Sequence, residues 1–204
     1  MSVIPVLTID GPSGSGKGSI TQMVAKRLGW HILGSGALCR LTGLAAERAG
    51  VALDDAKSLA EIARDLEIEF VASAAGEPVK VLLSGEDVSQ ALRLESTGNS
   101  ASKVAVLTEV REALLQRQKD FRQAPGLVAD GRDMGTVVFP AAPYKVFLTA
   151  SAQARAERRY TQLKLHGEGV RIANLLREIE QRDARGRGRK AAPPKAADET
   201  VKLD

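Results

Sequence analysis

The sequence predicts an α/β fold in which helices flank a parallel β-sheet. Short apolar runs, which suit strands buried on both faces of such a sheet, alternate along the chain with segments whose apolar residues recur at helical spacing. The 204 residues are 44% hydrophobic and 26% charged, a balance typical of globular proteins. Only 3% of the residues are aromatic, so we expect a mainly aliphatic core.

The N-terminal part of the chain alternates strands and helices. Residues 3–9 form a nearly continuous apolar run that predicts a buried strand, and helical spacing begins after Lys17 and stops at Gly29. The next expected elements are a strand at 30–33, a helix at 38–49 and a helix that is capped by Asp54 or Asp55 and runs to Leu66.

The pattern then changes to β-like runs at 67–72 and 79–83, which surround a Gly-Glu-Pro turn at 76–78. Short runs around turn residues are typical of hairpins, so residues 67–89 are expected to form a small antiparallel insert on the main fold.

Helical spacing returns from Val104 to Phe121 and stops at Pro125, which predicts a helix across these residues. Residues 137–139 fit either a helix or a strand. The other expected elements are strands at 127–129 and 144–148, a basic helix capped by Ser151 that runs to about 165, a helix around 172–179, a loop at 191–197 and the beginning of a strand at 200–203.

Positive charge is concentrated in residues 155–190, which hold eleven Lys or Arg and five Asp or Glu, whereas the net charge of the whole chain is only +4. Such a local basic segment predicts a site for a small polyanion or nucleic acid. The single cysteine, Cys39, excludes an internal disulfide, and two histidines are too few for a metal site. Because the sequence shows neither a signal peptide nor 18 consecutive apolar residues, we expect a cytoplasmic protein without a membrane segment.

A glycine-rich segment stands between the first predicted strand and the first predicted helix, which is the context of a phosphate-binding loop. Its glycines let backbone N–H groups turn inward around phosphate oxygens, the helix N-terminus adds partial positive charge, and Lys17 reaches the β- and γ-phosphates. The hydroxyl expected directly after the lysine is displaced by one position, to Ser19. The predicted nucleotide-binding residues are Gly11, Pro12, Ser13, Gly14, Ser15, Gly16, Lys17, Gly18 and Ser19.

A second polar motif, Asp-Gly-Arg-Asp-Met-Gly-Thr at 130–136, follows the apolar run 127–129. This position puts its charges at the carboxyl edge of the predicted sheet, where α/β proteins bind ligands. Together with the arginines of residues 155–190, the two motifs predict phosphoryl transfer, because its transition state spreads negative charge over several oxygens and is stabilised mainly by positioning and cations.

With these motifs the chain resembles the bacterial cytidylate kinases, a family of nucleoside monophosphate kinases. The resemblance covers residues 3–204 and rests most specifically on the block at 129–140. The other matching motifs are Ile-Asp-Gly-Pro-Ser-Gly-Ser-Gly-Lys-Gly at 9–18, Ser-Gly-Ala at 35–37 with Arg40, Gly-Glu-Asp-Val-Ser at 85–89, Arg111 and Arg-Asp at 182–183. The resemblance implies a P-loop NTPase core at 1–33, 103–154 and 170–204, an inserted lobe with a small antiparallel sheet that binds the nucleoside monophosphate at 34–102, and an arginine-rich lid at 155–169.

The same resemblance implies that ATP phosphorylates CMP and dCMP to CDP and dCDP, in pyrimidine nucleotide metabolism, with Mg²⁺ bound through the nucleotide and no metal ligand from the protein. It implies a monomer whose partners are these small molecules, without nucleic acid. The implied catalytic residues are Lys17 and Arg132, with Arg158 or Arg159 of the lid and Arg185 or Arg187 of the core, which would move with the lid. The implied acceptor contacts are Ser35, Arg111, Asp133 and Arg189 at the cytosine, Arg40 and Arg132 at the phosphate, and Ser102 and Arg182 at the sugar.

Three positions depart from the family pattern: Gly34 and Gly186 stand where the family has Asp, and Cys39 stands where it has Tyr. All three belong to motifs assigned to CMP, so we expect weakened acceptor binding beside an intact ATP loop. The chain also ends at Asp204, where the family completes a last strand and adds a helix. We therefore expect an incomplete edge of the sheet.

Three alternatives stay open. One is a UMP/CMP kinase of relaxed specificity, against which Asp133 argues, because cytosine offers it an amine donor where uracil has a carbonyl. Another is a catalytically weakened nucleotide-binding protein of the same fold. The Arg/Gly run at 182–190 also permits RNA binding, although the chain offers few aromatic residues for stacking on bases.

Overall fold

The computed structural model describes residues 4–71, 80–165, 169–187 and 200–203, which contain both strands and helices. The strands are β1 Val6–Asp10, β2 His31–Gly34, β3 Ile68–Val71, β4 Lys80–Leu83, β5 Glu86–Asp87, β6 Leu127–Gly131, β7 Tyr144–Leu148 and β8 Val201–Leu203. The helices are α1 Lys17–Leu28, α2 Ser35–Arg48, α3 Ala56–Asp65, α4 Glu95–Val104, α5 Thr108–Asp120, α6 Ala152–Leu165 and α7 Ile172–Arg187. Two shorter elements are a 3₁₀ turn at Ala91–Arg93 and a π-type turn at Met134–Val138. Within the described ranges, no helix has the length and apolar character that crossing a membrane requires.

The described strands include a five-stranded sheet in the order β2-β6-β1-β7-β8, in which every neighbouring pair is parallel. This topology confirms the predicted α/β class. β1 lies at the centre of the sheet, with β6 on one side and β7 on the other. The loop after β1 therefore leaves the carboxyl edge at the position where ligands bind in open α/β sheets.

A mainly aliphatic cluster packs α1 on this sheet. Ile9 of β1, Ala25 of α1, Val128 of β6 and Leu148 of β7 are all buried within it. α1 ends where the sequence predicts, because Gly29 adopts a left-handed φ of 66° and donates its N–H to the Ala25 carbonyl. The cluster thus fixes the helix that begins at Lys17.

Contacts within the chain divide it into two compact units. Unit 1 comprises Met1–Ser35 with Gln118–Asp204, and unit 2 comprises Gly36–Arg117. Unit 1 holds the parallel sheet, and unit 2 holds β3, β4 and β5, which form an antiparallel sheet in this order. The predicted antiparallel insert is therefore confirmed, while its turn at 76–78 lies outside the described residues, and the lobe and lid boundaries stay predictions.

Unit 2 has a core of its own. Leu66, Val81 and Leu83 from the region of the small sheet are buried together with Leu41 of α2. At the start of α3 the Asp55 carboxylate accepts the Ser58 N–H at 3.1 Å, which decides between the two predicted capping residues.

The helix predicted from Val104 to Phe121 is wrong at its start. α4 ends at Val104, the chain turns, and α5 begins with the Arg111 N–H donating to the Leu107 carbonyl at 3.1 Å. The spacing of apolar residues also does not predict α4, because Ser, Thr, Gly and Asn dominate its sequence and are weak helix formers. This helix buries Thr97, Gly98, Ala101 and Val104, which are small side chains.

At the C-terminal side of unit 1, α6 and α7 pack together through Ala156, Leu163, Leu175 and Ile179. Ser151 Oγ accepts the Ala154 N–H at 3.1 Å, which confirms the predicted cap of α6. The strand expected to begin at 200–203 is β8, which pairs with β7. The predicted loop at 191–197 lies outside the described residues.

Candidate active site

The glycine loop joins β1 to α1 at the centre of the sheet, as the sequence predicts. Gly11 has a φ of 151°, and a Cβ atom there would lie 2.2 Å from the Leu148 carbonyl oxygen, so only glycine fits between the loop and the end of β7. Gly16, with a φ of 93°, caps α1 without a side-chain hydrogen bond. The first turn of α1 therefore keeps its positive end toward the loop, as an anion site requires.

Lys17 opens α1 and turns back over the loop, where its Nζ donates to the Pro12 carbonyl at 2.6 Å. Burial lowers the pKa of this half-buried side chain to about 8. The charge of Asp130 opposes this shift, and that of Arg132 adds to it. Lys17 thus holds its positive charge against the loop, next to charges of both signs.

The remaining loop residues differ in exposure. Ser15 is buried, and its hydroxyl makes no hydrogen bond within the described residues, so it can donate to a ligand oxygen. Pro12 and Ser13 are half-buried, and the exposed members of the predicted set are Gly14, Gly16, Gly18 and Ser19.

The 130–136 motif lies beside the loop because β6 pairs with β1. In this pairing Asp130 is in register with Ile9, and Gly131 is in register with Asp10. Burial raises the pKa of the Asp130 carboxyl, and the Lys17 charge opposes this rise. The two motifs that the sequence singled out are therefore neighbours at one edge of unit 1.

Arg132 and Asp133 follow directly on β6. Arg132 is half-buried and its charge acts on Lys17, while Asp133 is only 6% exposed. The chain then enters the π-type turn Met134–Val138. Residues 137 and 138, for which the sequence fits either a helix or a strand, belong to this turn.

Asp10 is a site residue that the sequence analysis did not assign. Its carboxylate, 5% exposed, accepts the Met134 N–H through Oδ1 and the Gly135 N–H through Oδ2, each at 2.8 Å. Burial raises the pKa of Asp10 to about 6; the two N–H groups oppose the rise, and the Asp133 charge adds to it. The available signal was an acidic residue at the end of a buried apolar strand.

Arg155 belongs to the basic segment but is buried, with only 4% of its surface exposed. Its Nε donates to the carbonyls of Ala150 and Ser151 at 3.1 and 3.3 Å. Nη1 donates to the Ser13 carbonyl of the glycine loop at 2.8 Å. Nη1 and Nη2 also donate to the Asp183 carboxylate at 3.2 and 2.5 Å. Arg155 therefore ties the loop to the beginning of α6 and to α7.

The arginines predicted to lie in the lid or to move with it belong to α6 and α7. On α6, Arg158 is exposed and Arg159 half-buried. Arg185 and Arg187 fall in the last turns of α7, where the side chains are outside the description, and Arg189 lies outside the described residues.

The predicted acceptor residues of unit 1 include Ser35 and Arg182. Ser35 Oγ accepts from the Gln118 amide at 3.2 Å. Arg182, on α7, is 6% exposed, and its Nη2 lies 3.8 Å from the Glu178 carboxylate.

The predicted acceptor residues of unit 2 are Arg40, Ser102 and Arg111. Arg40 Nη1 donates to the carbonyls of Leu92 and Leu94 at 2.6 and 3.3 Å, which positions its guanidinium beside the 3₁₀ turn. Ser102 of α4 and Arg111 of α5 are half-buried.

The centre in unit 1 can bind and stabilise a polyphosphate. The glycine loop and the N-terminus of α1 supply backbone donors, and Lys17 and Arg132 add positive charges that act on each other. Such an arrangement suits phosphoryl transfer, in which the protein mainly positions the groups and neutralises spread negative charge.

Comparison with known proteins gives consistent matches over the whole chain. The family model described as cytidylate kinase matches residues 7–204. A cytidylate kinase of Stutzerimonas stutzeri (strain A1501) is 55% identical over 201 residues, which cover 98% of this chain and 88% of that protein. Cytidylate kinases of Pseudomonas fluorescens (strain Pf0-1) and Nitrosococcus oceani are 55% and 53% identical, covering 100% and 98% of this chain and 89% and 88% of theirs.

Proposed function

The chain belongs to the cytidylate kinase family and catalyses ATP-dependent phosphorylation of CMP; we propose that the charged centre of unit 1 carries this reaction and that dCMP is also an acceptor. The observation that supports the assignment is the position of Lys17, held over a glycine loop at the central carboxyl edge of the sheet. No observation favours a weakened binding protein, a relaxed UMP/CMP kinase or an RNA-binding protein.

In the proposed mechanism, the loop N–H groups and Lys17 hold the β- and γ-phosphates of ATP. A phosphate oxygen of CMP forms a bond to the γ-phosphorus, the bond from this phosphorus to the β,γ-bridging oxygen breaks, and ADP leaves. The acceptor oxygen is already an anion, so no general base is needed. Lys17 and Arg132 offset the charge that the transition state spreads over the phosphoryl oxygens.

For the acceptor we propose that Asp133 reads the cytosine. A carboxylate accepts from the exocyclic amine of cytosine and rejects the carbonyl that uracil has at the same position. The burial of Asp133 supports this role, because a hydrogen bond to a charge is stronger away from water. The other proposed contacts are Ser35, Arg111 and Arg189 at the base, Arg40 and Arg132 at the phosphate, and Ser102 and Arg182 at the sugar.

We propose that the lid arginines Arg158 and Arg159, together with Arg185 and Arg187, which move with the lid, close over the phosphates and exclude water. Mg²⁺ would be held by the phosphates of ATP and would supply further positive charge to them. The buried Ser15 hydroxyl of the loop makes no hydrogen bond within the described residues, and an oxygen atom of this kind suits the ion. A monomeric state and a cytoplasmic location complete the proposal.

A coupled assay of ADP formation with CMP, dCMP, UMP and AMP tests the function, with Lys17→Ala and Lys26→Ala compared with the unmodified chain. Lys26 is an exposed lysine on the same helix, so its variant controls for loss of a positive charge from α1. We expect turnover with CMP and dCMP that Lys17→Ala abolishes and Lys26→Ala retains. Near-normal turnover in a folded Lys17→Ala variant would reject this loop as the catalytic one.

A further inference from the structure

We propose that Asp10 is a positioning residue for acceptor recognition: its carboxylate fixes the two-residue segment that presents Arg132 and Asp133. The inference rests on the proposed function and adds a residue that acts through another, because Asp10 itself binds backbone groups of the protein.

The chain is attached to Asp10 on both sides of this segment. Before it, Gly131 is paired with Asp10 in the parallel register of β6 and β1. After it, the N–H groups of Met134 and Gly135 each donate to one oxygen of the Asp10 carboxylate at 2.8 Å. The path of Arg132 and Asp133 is therefore set from its beginning to its end by one residue of the strand that leads into the ATP loop.

The same carboxylate caps the π-type turn Met134–Val138. Asp133 precedes this turn, yet its side chain makes no capping hydrogen bond. Asp10 supplies the acceptors from a different strand, which leaves the Asp133 carboxylate out of the capping role. The turn can thus begin next to a residue whose side chain is proposed to read a base.

Close packing reinforces the attachment. A Cβ atom at Gly135 would lie 2.8 Å from Thr8 Oγ1 and 3.3 Å from Asp10 Oδ2, so the turn rests directly on β1. A Cβ atom at Gly131 would lie 2.8 Å from Met134 Cγ, so the Met134 side chain packs over the start of the segment. A small change at Asp10 is therefore passed on to the segment and is not absorbed by free space.

Asp10→Asn is nearly isosteric but keeps only one acceptor oxygen. Its amide NH₂ group faces one of the two N–H groups that the carboxylate accepted, so one buried donor loses its partner and the segment shifts. Misplacement of a binding group by about 1 Å can cost roughly 100-fold in rate. We expect kcat/KM for CMP to fall about 10- to 100-fold, KM for ATP to change little, and the CMP/UMP preference to narrow.

The experiment compares Asp10→Asn with Asp133→Asn, which removes the proposed reader itself, and with Thr8→Val, which perturbs the same strand and the same turn without removing a carboxylate. For each variant, kcat/KM is measured with CMP and UMP and KM with ATP, and the fold is checked by circular dichroism. The ratio of the two acceptors is the decisive quantity, because a loss of folded protein lowers both values equally. We expect Asp10→Asn and Asp133→Asn to lower the ratio and Thr8→Val to retain it.

The pH dependence of the same ratio provides a second measurement on the unmodified chain. The charged groups that face Asp10 are Asp133, which raises its pKa, and Lys17, which lowers it, and the pKa is about 6. Protonation removes one acceptor as pH falls through this value, so the CMP/UMP ratio should fall below pH 6. Both acceptors carry the same phosphate, so its own titration cancels in the ratio.

The experiment distinguishes a failure of the proposed function from a failure of the positioning role of Asp10. An unmodified chain that does not phosphorylate CMP contradicts the proposed function. An active chain whose CMP/UMP ratio is the same in folded Asp10→Asn overturns the positioning role alone. If Asp10→Asn does not fold, the unmodified chain supplies the test. The positioning role is overturned if the CMP/UMP ratio of kcat/KM stays constant from pH 5 to 8 and the amide NMR signals of Met134 and Gly135 do not titrate near pH 6.

Discussion

At the scale of single residues, Lys17 gives the sharpest expectation. Burial lowers its pKa in the free enzyme to about 8, so the ammonium loses its proton as pH rises through this value. The pH profile of kcat/KM reports groups of the free enzyme, and we expect kcat/KM for ATP to fall above pH 8. In Lys17→Arg this alkaline limb should disappear, because a guanidinium stays protonated, although the overall rate is lower.

The measurement is kcat/KM for ATP at CMP concentrations well below KM, from pH 6 to 10, with Lys26→Arg as the control on the same helix. An alkaline limb near pH 8 that persists unchanged in Lys17→Arg assigns it to another group and contradicts this explanation.

A site residue could be predicted from the sequence when the groups that it contacts lie within a few residues of it along the chain. The glycine loop and Lys17 were predictable because the motif is contiguous and Lys17 donates to the Pro12 carbonyl only five residues earlier. Asp10 was not, because the N–H groups that it accepts belong to residues 124 and 125 positions later in the chain. The sequence shows only that an acidic residue ends a buried strand.

At the scale of elements, the Arg155–Asp183 pair joins the glycine loop, α6 and α7. The two side chains are 4% and 14% exposed, and every nitrogen of the guanidinium donates to a carbonyl or to the carboxylate. A buried charge whose partner is removed is costly, whereas an exposed ion pair contributes little. The chain offers a matched comparison in Arg48–Glu86, which is also bidentate but 43% and 63% exposed.

Asp183→Asn should therefore lower the free energy of unfolding by about 3–5 kcal/mol, and Glu86→Gln by at most about 1 kcal/mol. Urea denaturation followed by circular dichroism measures both variants. Replacing both members of the buried pair, as in Arg155→Met with Asp183→Leu, should restore part of the loss, because no buried charge then lacks a partner. Equal effects of Asp183→Asn and Glu86→Gln would contradict the structural role of the buried pair.

The elements themselves were predictable where apolar spacing was strong. α1, α3 and the strands of the parallel sheet follow such patterns, whereas α4 buries small polar and apolar side chains that give no periodic signal. The turn between α4 and α5 was missed for a related reason: Leu107 continues the helical spacing while its backbone already belongs to the turn.

At the scale of the whole molecule, the sheet order explains why two motifs more than 100 residues apart form one centre: β6 pairs with β1, so both motifs leave the same edge. The charge count of the basic segment was a weaker guide. Arg155 is buried and its guanidinium joins the glycine loop to α6 and α7, so this part of the positive charge in residues 155–190 is not free for a ligand.

The departures from the family pattern concern the proposed acceptor site, because Gly34, Cys39 and Gly186 belong to motifs that the resemblance assigns to CMP, whereas the glycine loop proposed to bind ATP retains its motif. We expect ATP to bind with ordinary strength and CMP to bind weakly. Gly186→Asp should lower KM for CMP roughly 10-fold, since a hydrogen bond from a sugar hydroxyl to a carboxylate contributes about 1.5–3 kcal/mol. Its control is Ala184→Asp, which adds the same charge to an exposed position of α7 and should leave KM for CMP unchanged.

Calorimetry on the unmodified chain, with CMP and a non-hydrolysable ATP analogue titrated separately, shows on which side the weakness lies. Tight CMP binding beside weak binding of the analogue would place it on the donor side, against this explanation. If Gly186→Asp acts through the sugar, the CMP/dCMP ratio of kcat/KM should change as well, because the two acceptors differ only in the 2′-hydroxyl. An equal gain for both acceptors, shared by Ala184→Asp, would mean that the added charge acts without a sugar contact.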